Sequence, residues 1–424
     1  MAEAARRYGA IVGIFNGNEP VILVSGLEAI KEVSYREEFS GRPKTLIQKS
    51  DKGSYEKWKV QRRFTLRHLR DLGFGKQTLE EIVHEELLEI FSLVEKVSGG
   101  EKTGWPNLVT VHDVIGSSRI NVLWCIVAGK RYSISDPFIN EVLDCAVKLF
   151  RLCESGGGSI ISKLFPFLGT FPRLMHYRKR VQTFLMEEIR KHKESLDSNS
   201  PRDFIDVYLT EMEKQKFNKQ STFEERQLVE TCLDLFVAGS DSSFSLLVFS
   251  ILFMVLYPDV QLQVQDEIDR IIGRDRLPSL SDKASLPYVE ATMSEILRRS
   301  SVAPLGVPHA ILGCSKDVKL QGYILPKDAR VILNLYGLHH DPKIWGDPDN
   351  FRPERFLDEN GKHIKHEALL PFGFGKTAVL FPEEWTQRTQ GSKVGGAMDE
   401  GRPGYVITET FLAVRCLEGS TMQK

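Results

Sequence analysis

The apolar positions of this chain fall mostly at helical spacing. Thr78 and Glu81 form a T-x-x-E capping-box pattern. Behind them Leu79, Ile82, Val83, Leu87, Ile90, Phe91 and Val94 make one apolar face, closed by Gly99-Gly100. Further helices are predicted over about 179–196, 223–257, 259–272 and 286–299. Residues 10–24 read differently: "AIVGIF" and "PVILV" are apolar and β-branched, split by "NGNE", which is a hairpin pattern. Short strands are expected in "VKLQGYILP" and "RVILNLY". A few short strands among many helices, with no β-α-β alternation, predict a mainly α fold with small β-sheets.

No repeat and no linker breaks the pattern before residue 376, so residues 1–376 read as one domain. From 377 to 424 the chain is glycine-rich and mixed, and only "GYVITETFLAV" looks strand-like. That part reads as a tail, poorly ordered or foreign to the domain.

Composition adds exclusions. The 424 residues are 42% hydrophobic and 27% charged, as in a soluble globular protein. Fifty-six basic and 57 acidic residues leave a net charge of -1, so no global field favours nucleic acid. The six cysteines (125, 145, 153, 232, 314 and 416) contain no C-x-x-C pair, which argues against a zinc ribbon or a disulfide scaffold. "MAEAARRYGAIVG" carries no apolar run long enough for a signal peptide or anchor. "FSLLVFSILFMVLY" (244–257) comes nearest to a span, but it continues a helix holding Asp234 and Asp241, and Pro258 stops it. Carboxylates are costly in lipid, so a buried core helix is expected.

Candidate chemistry gathers in a few places. "AGSDSS", Ala238 to Ser243, puts a glycine, an acid and hydroxyls in the middle of an apolar helix. Serines there can bond the carbonyl one turn back and bend the ladder. A satisfied polar kink explains the pattern. So does a groove where a ligand meets the backbone and Asp241 and Ser242 move protons. Glu295 and Arg298 lie three apart on one helix face, and Arg355 in "NFRPERF" could complete a charge network with them. Trp58 and Arg62 sit one turn apart and can face one planar anion. Around them Lys57, Lys59, Arg63, Arg67 and Arg70 form either a solvated face or a docking patch. His309 in "PLGVPH" is either structural or another donor to an anion.

Taken in order, "RYGAIVGIF", "EEFSGRP", "WKVQRRFTLRHLRDLGFG", "AGSDSS", "LPYVEATMSEILRR", "PLGVPHA", "NFRPERF" and "LPFGFGK" resemble the cytochrome P450s, above all the microsomal type. The resemblance covers roughly residues 7–376 and implies the P450 fold, incomplete at the C-terminus. It implies haem, electrons from NADPH through a reductase, and insertion of one oxygen atom of O2 into a small lipophilic substrate. By the same resemblance, Asp241 and Ser242 deliver protons on a helix whose Ala238 and Gly239 pass the haem. Ser242 stands where the family usually has threonine. Trp58, Arg62 and His309 would hold the propionates, Phe372 the haem loop, and Glu295, Arg298 and Arg355 the ion network behind it. The basic helix near Trp58 would help dock the acidic reductase. Residence at the endoplasmic reticulum membrane is implied too, although the family's anchor and proline-rich hinge have no counterpart before Tyr8, so a cytosolic location is an alternative. The stretch from Pro43 to Trp58, part of the family's substrate pocket, looks short.

The sharpest departure lies in "PFGFGKTAVLF", residues 371–381. The family pattern is P-F-x-x-G-x-R-x-C-x-G. Pro371, Phe372 and Gly375 match it; Thr377, Val379 and Phe381 replace its arginine, cysteine and glycine. The cysteine is the axial thiolate, and Val379 cannot ligate iron. Arg415-Cys416 has neither the turn before it nor the spacing to substitute. A phosphate loop is excluded, because G-x-x-x-x-G-K-[ST] needs glycine where Leu370 stands. Two readings follow. One is a haem-thiolate monooxygenase altered at its end by an intron, frameshift or splice choice. The other is a non-catalytic P450-like protein.

Overall fold

The computed structural model describes residues 2–16, 19–41, 43, 54–74, 78–98, 111, 115–154, 170–311, 317–326 and 329–373. In chain order they form α1 (Ala2–Tyr8), β1 (Ile11–Asn16), β2 (Glu19–Val24), α2 (Leu27–Tyr35), α3 (Ser54–Asp71), α4 (Thr78–Ser98), α5 (Ser118–Ala128), α6 (Pro137–Glu154) and α7 (Thr170–Glu194). Then come α8 (Phe204–Lys214), α9 (Glu225–Leu256), α10 (Pro258–Ile271), α11 (Pro287–Ser300), β3 (His309–Ala310), β4 (Val318–Leu320), β5 (Tyr323–Leu325), β6 (Arg330–Leu333), α12 (Leu335–His339) and α13 (Pro342–Trp345). The fold is mainly α with small sheets. The 377–424 tail, nearly all of the 43–58 stretch before α3, and the glycines after α4 lie outside the described residues.

The described residues fall into two compact units, one from those of 2–55 and 249–373 and one from those of 56–248. In the first, the four-stranded sheet runs β1-β2-β6-β3. β2 pairs antiparallel with β1 and parallel with β6, so it is flanked on both sides. That is why "VILV" is apolar at every position rather than alternating, and Val21, Ile22, Leu23 and Val24 are all buried. β1, on the edge, buries only Ile11 and Val12. The core beneath joins Val24, Ile30, Val33, Phe39, Val331, Leu333, Leu335, Phe356 and Ala368.

The expected strand "RVILNLY" stops at Leu333. Asn334 accepts the Gly337 N–H on its side chain at 3.0 Å and so caps α12, turning Leu335 and Tyr336 helical. Pro258 ends α9 and opens α10, consistent with its fixed φ and missing N–H. Of the described residues, only α9 is long and apolar enough to cross a membrane by length and composition, with 33% of its most apolar window buried. Leu246, Leu247, Phe253 and Met254 are buried, whereas Leu252, Val255 and Leu256 are exposed.

The second unit packs α6 against α7 and closes around two aromatic clusters. Trp124, Phe184 and Phe236 join α5, α7 and α9 at centroid distances of 5.3–5.7 Å. Phe64, Phe204, Tyr208 and Phe223 form the second cluster, and the Tyr208 hydroxyl donates to Gln61 at 2.9 Å. Just before α5, Gly116 has φ +40, and a Cβ there would lie 2.6 Å from the Ile134 carbonyl oxygen. Gly116→Ala is therefore expected to cost about 1–3 kcal/mol through a left-handed backbone and a backbone clash. A shifted urea midpoint at unchanged m-value checks it.

Candidate functional site

Helix α11 starts with Pro287 at its first turn and is capped at its C-terminal end by Ser301, a non-glycine residue with φ 42. Its spacing puts Glu295 and Arg298 on one face, both fully buried. Arg298 grips Glu295 bidentately, Nε to Oε2 at 2.7 Å and Nη2 to Oε1 at 2.7 Å. Its remaining donors reach the carbonyls of His339 (2.8 Å) and Pro348 (2.9 Å), and its guanidinium lies over the Trp345 ring. Arg355 comes from the "PERF" turn with Nε 3.4 Å from Glu295 Oε1. Its Nη2 pairs with Asp347 at 2.7 Å. Arg352 N–H donates to Glu295 as well, at 2.9 Å. The structure thus assembles Glu295, Arg298 and Arg355 into one network. Asn350 and Arg355 beside Asp347 hold its carboxyl at about 2. Sequence reasoning missed Asp347 and Trp345, which stand far along the chain from Arg298, and the carbonyls, because main-chain acceptors leave no residue-type signal.

In the same unit, His309 is buried in β3, opposite Val331 of β6. Phe372 is half-buried in a turn that Gly373 N–H closes on the Leu370 carbonyl at 3.2 Å. Residues 374–381, including Val379, lie outside the described residues.

In the 56–248 unit, the Arg62 guanidinium lies 5.2 Å from the Trp58 ring centre, and burial lowers its pKa. Lys57, Arg63, Arg67 and Arg70 are exposed along the same helix. α9 runs through "AGSDSS" as one unbroken α-helix. Ser240 Oγ donates to the Phe236 carbonyl (2.5 Å) and Ser242 Oγ to the Ala238 carbonyl (2.7 Å), the back-bonding that mid-helix serines use. Asp241 and Ala238 are half-buried. At Gly239 a Cβ would lie 2.5 Å from Leu123 Cδ2, so α5 packs closely there. Trp58, Arg62, Ala238, Gly239, Asp241 and Ser242 belong to this unit; His309, Phe372 and the ion network belong to the other.

The mainly α architecture, the buried Glu–Arg–Arg network and the turn that opens "PFGFG" define a P450-type fold. The family model described as Cytochrome P450 matches residues 1–378, and this chain belongs to that family. It is 37% identical to cytochrome P450 2U1 of Mus musculus, over 90% of this chain and 73% of that protein. It is 35% identical to cytochrome P450 2B4 of Oryctolagus cuniculus, over 88% of this chain and 77% of that protein. Similarity to the farnesoate epoxidase of Bombyx mori stands at 36%, over 89% of this chain and 76% of that protein.

Membership implies haem as the family's group.

Proposed function

We propose that the reaction behind this chain is the monooxygenation of a small lipophilic substrate at the endoplasmic reticulum membrane, with NADPH electrons passed by a cytochrome P450 reductase. The chain as written forms no thiolate-ligated haem and does not itself catalyse that reaction. Residues 1–376 are the family domain and 377–424 a non-family tail. The sequence feature that supports this reading is valine at 379, where the family pattern expects its cysteine, one residue past the end of the family match. The abruptness of the break supports a spliced, frameshifted or retained-intron end over slow decay, which would remove single residues. A binding or regulatory role for a non-catalytic chain is the second reading, supported by the built and satisfied ion network that remains.

Two measurements test this. The chain is mixed with haem, reduced and exposed to carbon monoxide, and the absorption spectrum is expected to lack the long-wavelength Soret band that gives the family its name. Appearance of that band overturns the proposal. Sequencing the transcript across codons 376–377 separates the two readings. An Arg-x-Cys continuation marks the tail as an artefact of the sequence, whereas Thr-Ala-Val in abundant message marks a genuine non-catalytic isoform.

A further inference from the structure

One buried side chain, outside both the ion network and the sequence motifs, holds the segment that opens "PFGFG". Leu370 N–H donates to His339 Nε2 at 3.0 Å, while the Leu370 carbonyl accepts from Gly373. Both main-chain groups of the residue before Pro371 are therefore fixed. An amide can only donate, so His339 Nε2 carries a lone pair. The other ring nitrogen, Nδ1, lies 3.2 Å from Ser301 Oγ, and that hydroxyl donates to the Arg298 carbonyl at 3.1 Å. The single hydroxyl proton is used there, so Nδ1 must carry the ring proton. Donors run in one direction, from Leu370 through His339 and Ser301 to Arg298. The circle closes where the His339 carbonyl accepts from Arg298 Nη1. Burial first, then the charges of His340 and Arg298, hold the His339 pKa down to about 3, so the ring is neutral.

We infer that His339 is a positioning residue for the loop: its Nδ1–H tautomer ties the Leu370–Gly373 turn to the C-terminal end of α11, and so to the ion network. It sets where Phe372 stands. Calling the segment a haem loop rests on the family reading; the anchoring itself requires no haem.

The test uses the full chain without haem, labelled with isotopically substituted histidine, so a failure of the haem reading leaves it decidable. Long-range proton–nitrogen correlation is expected to show His339 with a bare Nε2 and a protonated Nδ1. Amide exchange then separates two variants. In His339→Asn the shorter side chain cannot reach Leu370, and exchange of that amide is expected to rise about tenfold or more. In His339→Gln an acceptor remains at the reach of Nε2, and exchange is expected to stay within about threefold of the parent. Amides of β2 serve as the control and hold constant in both. A protonated Nε2 overturns the inference, as does equal Leu370 exchange in all three proteins. If the asparagine variant unfolds and its β2 amides exchange too, the tautomer and the glutamine variant decide. A fast Leu370 amide in a folded glutamine variant overturns it.

Discussion

Glu295→Gln is expected to cost about 3–5 kcal/mol, the range for breaking a buried ion pair by removing one partner. The amide keeps the shape and loses the charge, leaving Arg298 facing no carboxylate and Arg355 with Asp347 alone. Arg298 is fully buried and Arg355 only 4% exposed by side chain, so water cannot replace the lost carboxylate. The Arg352 N–H would also face a weaker acceptor. A domain is stable by only about 5–15 kcal/mol, so this one change removes a large share and can unfold the unit outright. Urea denaturation of the parent and the variant checks it, and a loss below about 1 kcal/mol would refute it. A double variant, Glu295→Leu with Arg298→Met, is expected to be less damaged than Glu295→Gln, because a pair replaced by hydrocarbon leaves fewer charges without a partner. That ordering separates a charge effect from a shape effect.

The parts of this molecule that are legible in the sequence are those whose signal lies within one element. α9 and α10 can be read because their apolar runs are long and Pro258 punctuates them. The β1–β2 hairpin is visible as two β-branched runs around "NGNE". Glu295 and Arg298 show their relation in a three-residue spacing, but Arg355 lies 60 residues beyond its partner Glu295, where spacing carries no signal. Other features are hidden for physical reasons. The first nine residues of α7, before 179, carry Pro172 and several cations that break the apolar period, yet proline is tolerated in a first turn. α12 reads as strand because its tyrosine and leucines suit either state; a cap on Asn334 decides it. His339 leaves no trace, since its partners are a backbone amide and a serine 38 residues away.

The second large effect is one of pH, in the 56–248 unit. His192, buried on α7, has Nδ1 at 2.7 Å from the Glu188 carbonyl and Nε2 at 2.9 Å from Asp203 Oδ2. Both partners only accept, so both ring nitrogens must donate and the ring is an imidazolium. Asp203 is itself tied down: Oδ1 takes the Asp206 N–H and caps α8. Arg202 binds Asp206 from the solvent side, and Glu188 is occupied by Lys130 and Lys191. Burial pulls the His192 pKa down. The Asp203 hydrogen bond, the Glu188 carbonyl and the charges of Asp203 and Asp206 outweigh it, and the net change is upward from 6.5. A pKa raised by folding contributes stability that is whole below 6.5 and fades as pH climbs through the folded value. Each tenfold gain in proton affinity on folding is worth about 1.4 kcal/mol. Stability of this unit should therefore decline from near-neutral into alkaline pH, as the ring loses one donor and leaves the Asp203 carboxylate or the Glu188 carbonyl unsatisfied. On the acid side Asp206 contributes with the opposite sign. Burial raises its pKa, the Arg202 bonds lower it further, and its contribution is present above 3.8 and lost as pH falls through the depressed folded value. Urea midpoints measured at a series of pH values in the parent and in His192→Gln settle the matter. The parent should lose stability with rising alkalinity and the variant, already weaker, should not. A parent curve that is flat across that range, or an identical slope in the variant, would show that the imidazolium does not hold α7 to α8.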